Sequence, residues 1–294
     1  SFIPICAESE AVGMVIIMNT APYIHCGQST TLQMLDAAIA LLPAAAGAVW
    51  FFGLRAAAML LLAVAAAAAT QFLWDRFTGR QELRTLTVLV TGLLSALLLP
   101  ARAALWAAPL GAFLAVSVKV LTGGIGQNWW NPAALGRAAL LPLLCPLALK
   151  DCQGTFLMAY LDGAMGEAST LLLLVGAAYL AMRHLLPWAV AVPYLCASFL
   201  TAAVLPHCDP LAVICWGGTI LGACFLSADP VTTPMGLTFR VLYGVFTGAV
   251  ATVFSFYGWG IGGVVVAILA ANTAFRAAET IAARLQNTAE LEQV

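Results

Sequence analysis

Three short stretches of this chain combine glycine, hydroxyl, amide and carboxylate groups in a way that suits a phosphorylated or flat heteroaromatic ligand. The first is Asp162-Gly-Ala-Met-Gly-Glu-Ala-Ser-Thr170. Gly166 permits a tight turn, and Ser169 and Thr170 then open an apolar run that reads as a helix. Free N–H groups and the positive dipole end of a helix favour a phosphate at such a start, and a hydroxyl there is also an attachment point for a phosphoryl group. The plainer reading is an N-cap, in which Ser169 or Thr170 satisfies the first turn.

The second stretch is Gly123-Gly-Ile-Gly-Gln-Asn-Trp-Trp-Asn-Pro132. Its glycines allow close backbone approach, Asn128 and Asn131 offer amide donors and acceptors, and Trp129 and Trp130 can stack on a ring. The alternative is a turn with interfacial Trp anchors. No βαβ context surrounds the glycines, so this is not a dinucleotide-binding fingerprint. The third is Phe225-Leu-Ser-Ala-Asp-Pro-Val-Thr-Thr-Pro234, where Asp229 borders membrane-embedded chain. An acid at such a depth marks a cofactor or ion site unless it is simply a solvated helix end. Arg137 reads as a side chain that snorkels, and Asp36 as a cap on the first segment.

The elements that position these groups follow from composition. Of 294 residues, 63% are hydrophobic and 9% charged, and the mean hydropathy is +0.98. Soluble domains carry roughly 25% charge and about 45–50% apolar residues. The excess apolar surface therefore faces lipid or other membrane helices. A net charge of −1 gives no electrostatic case for nucleic acid. The eight cysteines include no Cys-x-x-Cys pair and the three histidines are scattered. The cysteines read as small apolar residues, and no metal centre is expected from this chain alone.

The expected fold is all-α: a polytopic membrane protein of about ten transmembrane helices, each needing roughly 20 apolar residues when it spans fully. The apolar runs lie near 35–53, 54–74, 86–100, 102–121, 133–149, 169–182, 186–205, 210–227, 239–257 and 260–281. With the N-terminus in the cytoplasm, eight Lys/Arg residues fall on the inner side (Arg76, Arg80, Arg84, Lys119, Arg183, Arg240, Arg276, Arg284). Three fall outside (Arg55, Arg102, Lys150), and Arg137 lies within a segment. That bias follows the positive-inside rule. It puts both termini in the cytoplasm and the 151–169 loop outside, where Cys152 and Cys208 would share one face.

Residues 1–34 read as a cytoplasmic lead-in, 35–284 as the membrane domain, and 285–294 as a cytoplasmic tail. The apolar run from Ala11 to Met18 is too short to span, and it lacks the basic start and cleavage site of a signal peptide. Met14 or Met18 offers a natural start. The Gly- and Trp-containing stretches at 122–132 and 257–263 each precede the last segment of a five-segment half. Two such halves, 35–149 and 169–284, would be inverted repeats, which place binding sites near their interface.

Several blocks, in order, resemble the RnfD family, the D-type membrane component of Rnf ion-translocating ferredoxin:NAD oxidoreductase complexes. That family is related to the B-type component of sodium-pumping NADH:quinone oxidoreductase. Gly123-Gly-Ile-Gly-Gln-Asn-Trp-Trp-Asn-Pro-Ala-Ala is similar to the family's GG-GQN--NPA block, and Phe225-Leu-Ser-Ala-Asp-Pro-Val-Thr-Thr-Pro-Met to its FMATDPVTSPM block. Ala21-Pro-Tyr-Ile-His-Cys-Gly-Gln-Ser-Thr30, Met34-Leu-Asp-Ala-Ala-Ile-Ala-Leu-Leu-Pro43 and Thr91-Gly-Leu-Leu-Ser-Ala-Leu-Leu-Leu-Pro100 resemble its N-terminal stretches. The short N-terminal region favours RnfD over the quinone-reducing relative. The resemblance implies a bacterial inner-membrane protein, assembled with the other Rnf subunits. Its role would be to relay electrons between ferredoxin and NAD, coupled to Na⁺ or H⁺ translocation. It also implies FMN joined by a phosphoester to threonine in an SGAT or GET sequence on the outer face, and it leaves room for a second flavin. Here the region reads Gly166-Glu-Ala-Ser-Thr170: Ala168 stands at the direct alignment, with Thr170, then Ser169, the candidate hydroxyls. The competing expectations are a cofactor-free channel or transporter built from inverted repeats, and a structural anchor for redox partners.

Overall fold

The computed structural model describes residues 30–79, 85–122, 128–148 and 163–291. The helices are α1 (Thr30–Phe52), α2 (Leu54–Thr78), α3 (Thr85–Leu97), α4 (Ala107–Leu121), α5 (Pro132–Ala139) and α6 (Leu141–Ala148). A 3₁₀ turn at Met165–Glu167 precedes α7 (Thr170–Met182) and α8 (Trp188–Val204). Two short helices follow, α9 (Pro210–Cys215) and α10 (Gly217–Leu221), then α11 (Leu237–Phe254) and α12 (Ile261–Leu291). π-helical turns at Gly222–Leu226 and Ser255–Trp259 close α10 and α11. Among the described residues there is no strand beyond one isolated bridge between Pro100 and Ala164.

Four spans are long and apolar enough to cross a membrane: Thr31–Phe52, Leu54–Thr78, Leu237–Trp259 and Ile261–Ala282. Each of the remaining expected segments coincides with shorter helical pieces. The expected fifth breaks at Leu140 into α5 and α6, and the expected eighth divides into α9, α10 and a π turn. The last helix continues to Leu291, so most of the expected tail is helical. Interrupted helices are tolerated in lipid where neighbouring protein satisfies the freed backbone groups. Here the Arg55 guanidinium does so, donating from Nε to the Ala101 carbonyl at 3.1 Å and from Nη2 to the Ala103 carbonyl at 2.9 Å in the irregular 98–106 stretch.

Small residues bring the helices together. A Cβ on Gly176 of α7 would strike the Ala40 carbonyl of α1, and one on Gly248 of α11 would strike the Tyr194 carbonyl of α8. Close backbone approach of this kind is the main packing device of membrane helices, since lipid supplies no hydrophobic drive between them. Hydroxyls inside the bundle turn back on their own helices: Thr91 donates to Thr87 O at 2.8 Å and Thr247 to Tyr243 O at 2.6 Å. That satisfies them inside the bundle.

α2 packs on α3 and α4, and α4 on α5; α8 packs on α9 and α11, and α11 on α12. α1 lies on α3, α7 lies on α10, and α1 and α7 pack against each other.

Candidate functional site

A cavity of about 890 Å³ lies among α1, α3, α4, α7 and the turn after α10, within the roughly 300–1,000 Å³ usual for small-molecule sites. α1 contributes Met34, Ala37 and Leu41; α3 contributes Thr87, Val90, Thr91 and Leu94. Leu180 at the end of α7, followed by Leu185 and Leu186, closes another side, and Cys224 and Phe225 come from the π turn after α10. The body is therefore apolar. Its polar edge comes from Lys119 near the end of α4, Asn128, Asn131, Asp229, and more peripherally Gln33, His184 and Arg240.

The second and third stretches singled out in sequence meet here, although about a hundred residues separate them. Asn131 joins them: its Nδ2 donates to the Leu226 carbonyl at 2.9 Å, while its Oδ1 caps α5 by accepting from Ala134 N–H at 3.2 Å. Both ends of this amide are thus used in building the wall. Asn128 Oδ1 accepts from the Thr122 hydroxyl at 3.1 Å. The 227–233 turn folds around Asp229, whose carboxylate accepts from Val231 N–H at 3.2 Å and from the Thr232 hydroxyl at 3.4 Å. Burial pushes the Asp229 carboxyl above the ordinary carboxylate range, against the pull of the Val231 N–H, Lys119 and Thr232. Lys119 is 4% exposed. Its ammonium and the Asp229 carboxylate attract each other across the cavity edge. Trp129 and Trp130 are not part of this lining. Trp130 Nε1 donates to Thr273 Oγ1 at 2.8 Å and Trp129 is exposed, as the anchor reading of these residues expects.

The first stretch lies elsewhere. Thr170 and Leu180 sit near opposite ends of α7, roughly 15 Å apart at 1.5 Å per residue. Gly166, Ser169 and Thr170 are therefore not brought to the cavity. Ser169 is the N-cap, its Oγ accepting from Leu172 N–H at 3.5 Å. Thr170 Oγ1 donates to the Cys215 carbonyl at 2.8 Å. Both residues are buried. Both hydroxyl oxygens of this loop thus take part in hydrogen bonds with neighbouring backbone. The cavity matches a flavin: a broad apolar wall suits the ring system, and a mixed cationic, anionic and amide edge suits its polar rim.

Three groups were not legible as partners in sequence. Lys119 lies inside an apolar helix. Arg137 does not snorkel: it is 1% exposed, and its Nε donates to the Leu98 carbonyl at 2.9 Å. Asp36 does not cap α1, which begins six residues earlier; it bonds Arg183 and Tyr179 instead. An ionisable residue inside an apolar helix is the available signal, but it names no partner. Cys208 is a free thiol, while Cys152 lies outside the described residues, as do positions 123–127.

Comparison with known proteins agrees with the blocks read in the sequence. Residues 17–284 match the family model described as NQR2, RnfD, RnfE. The chain is 31% identical to the D-type subunit of the Na(+)-translocating ferredoxin:NAD(+) oxidoreductase complex of Acetobacterium woodii, over 83% of this chain and 86% of that one. It is 27% identical to the D-type subunit of the proton-translocating ferredoxin:NAD(+) oxidoreductase complex of Clostridium ljungdahlii, covering 90% and 94%. Against the B-type subunit of the Na(+)-translocating NADH-quinone reductase of Chromohalobacter salexigens the identity is 30%, covering 62% and 55%.

Proposed function

The chain belongs to the NQR2, RnfD, RnfE family, and from that premise we propose that it is a membrane subunit of an ion-translocating ferredoxin:NAD oxidoreductase complex that carries electrons on a flavin held in the cavity between its halves. The relatives named for this activity support the complex, and other subunits of it are the expected partners. Coverage of both chains is more extensive for the D-type relatives than for the quinone-reductase relative, which favours the ferredoxin:NAD reading. Both sodium- and proton-translocating relatives are similar to the chain, so the ion is left open.

The observation that carries the flavin reading is the cavity: an apolar slot of about 890 Å³ with Lys119 and Asp229 on its polar edge. Flavin, when bound, accepts and releases electrons singly or in pairs, and the protein's share is position and environment. Leu94, Leu180 and Phe225 would exclude water from the ring. Lys119 would hold negative charge at the cavity edge, and Asp229 would moderate it. Purification in mild detergent followed by absorbance spectroscopy tests the reading. Flavin bands in the visible range that bleach on reduction are the expected result. A colourless chain that instead conducts solute in proteoliposomes would establish the channel alternative.

A further inference from the structure

We propose that the 166–170 loop of this chain is closed around an internal charge pair, Glu167 with Arg137, and that the flavin is held without a covalent bond to Ser169 or Thr170. The second half of this inference rests on the flavin reading of the cavity; the first half stands without it.

Glu167 is 2% exposed and Arg137 1%. Burial opposes the charge on each, and their mutual attraction offsets part of that. Each side chain uses one group on a local backbone partner. Glu167 Oε2 accepts from Ala164 N–H at 3.0 Å, and Arg137 Nε donates to the Leu98 carbonyl at 2.9 Å. Each then keeps a buried atom with no protein partner, Glu167 Oε1 and Arg137 Nη1. The two turns carrying those backbone partners are themselves joined, Met165 N–H donating to the Leu99 carbonyl at 2.9 Å. An unbalanced guanidinium at this depth would be costly. Attraction to Glu167 offsets part of that cost.

The loop is also packed shut. A Cβ on Gly217 would come within 2.8 Å of the Glu167 carbonyl oxygen, and one on Gly218 within 2.6 Å of Glu167 Oε1. The glycines at the start of α10 thus let that helix close directly on Glu167. Forming a phosphoester at Thr170 replaces its hydroxyl hydrogen, so the 2.8 Å bond to the partly buried Cys215 carbonyl is lost. At Ser169 the ester would set a phosphate charge in a buried loop two residues from the Glu167 carboxyl, where desolvation opposes it.

The test is mass spectrometry of the full chain, co-expressed with a flavin transferase shown to modify a threonine-bearing control protein. The expected result is an unmodified chain, with flavin in the supernatant after denaturation. A peptide carrying FMN at Ser169 or Thr170 overturns the inference. An unmodified chain with no released flavin supports the closed loop and overturns the flavin reading of the cavity. A thermal-unfolding cycle probes the pair itself. Glu167→Gln and Arg137→Gln should each lower Tm by roughly 5 °C or more, and the double variant should lose clearly less than the sum. Additive losses would contradict the pairing.

Discussion

Asp36 of α1 and Arg183 at the end of α7 are tied by two contacts: Arg183 Nη2 lies 3.0 Å and Nε 3.1 Å from Asp36 Oδ2. The Tyr179 hydroxyl donates to the other carboxylate oxygen at 2.7 Å. Both helices contribute to the cavity wall, so this clamp ties two of its sides together. The Arg183 side chain is about half exposed, which limits the worth of the ion pair. The Tyr179 bond to a buried carboxylate adds to it. Asp36→Ala is expected to cost about 1–3 kcal/mol of stability and to weaken flavin retention. Tyr179→Phe should cost less than Asp36→Ala. Thermal melts with and without added flavin check this; equal melts for Asp36→Ala and the parent would remove the clamp from the account.

Close helix approach gives a second expectation. Gly248→Val places a branched side chain where the Tyr194 carbonyl already lies, so α8 and α11 must separate. Overpacking of this kind costs about 1–3 kcal/mol or more. Gly53→Val is the informative contrast, since a Cβ there meets nothing within 4 Å. Gly53 has φ 68°, so that variant strains one turn but leaves helix packing intact. The expected difference is loss of folded, detergent-stable protein for Gly248→Val only, read by size-exclusion chromatography.

The polar edge of the cavity predicts the direction of a redox effect. Removing the positive charge in Lys119→Met should weaken flavin binding by about tenfold, equivalent to about 1.4 kcal/mol. It should also make the bound flavin harder to reduce, because reduction adds negative charge. Asp229→Asn should shift the potential the opposite way. Spectroelectrochemical titration of the two variants reads both shifts. Unchanged potentials in both would place the flavin away from this edge.

Topology is open to labelling. Residues expected in the cytoplasm, such as Thr78, and residues expected outside, such as His207, lie at the ends of different helices. In a cysteine-depleted background, Thr78→Cys should react with an impermeant thiol reagent only from the inner side and His207→Cys only from the outer. Reversed labelling would invert the whole assignment.

Much of the architecture was legible because lipid imposes a coarse code. Apolar runs had to be helices; four of the described helices are long and apolar enough to cross a membrane, and the other runs coincide with shorter helical pieces. What was not legible were the positions of the interruptions and the partners. Pro142 and Pro146 signal a break within the run 133–149, but not that one helix ends at Ala139 and the next starts at Leu141. Likewise, the helices at 210–226 divide at Trp216, whose extended backbone could not be guessed from neighbours. At the site, Asn131 and Asp229 were recognisable by their turn chemistry and do line one cavity. Their association with Lys119, and the separation of Ser169 and Thr170 from them, depend on which helix ends meet. That is settled by long-range packing such as Gly176 against Ala40, which local pattern does not encode.

The most direct test of the cavity as the flavin site is a binding titration with the cavity filled. Ala37 lines it from α1 and is small, so Ala37→Trp should occupy the ring's place while leaving the helix intact. Purified apo-chain is titrated with FMN and followed by quenching of flavin fluorescence, alongside circular dichroism to confirm helicity. The account predicts saturable quenching in the parent chain and its loss in Ala37→Trp at unchanged helicity. Equal, saturable quenching in both proteins would contradict it.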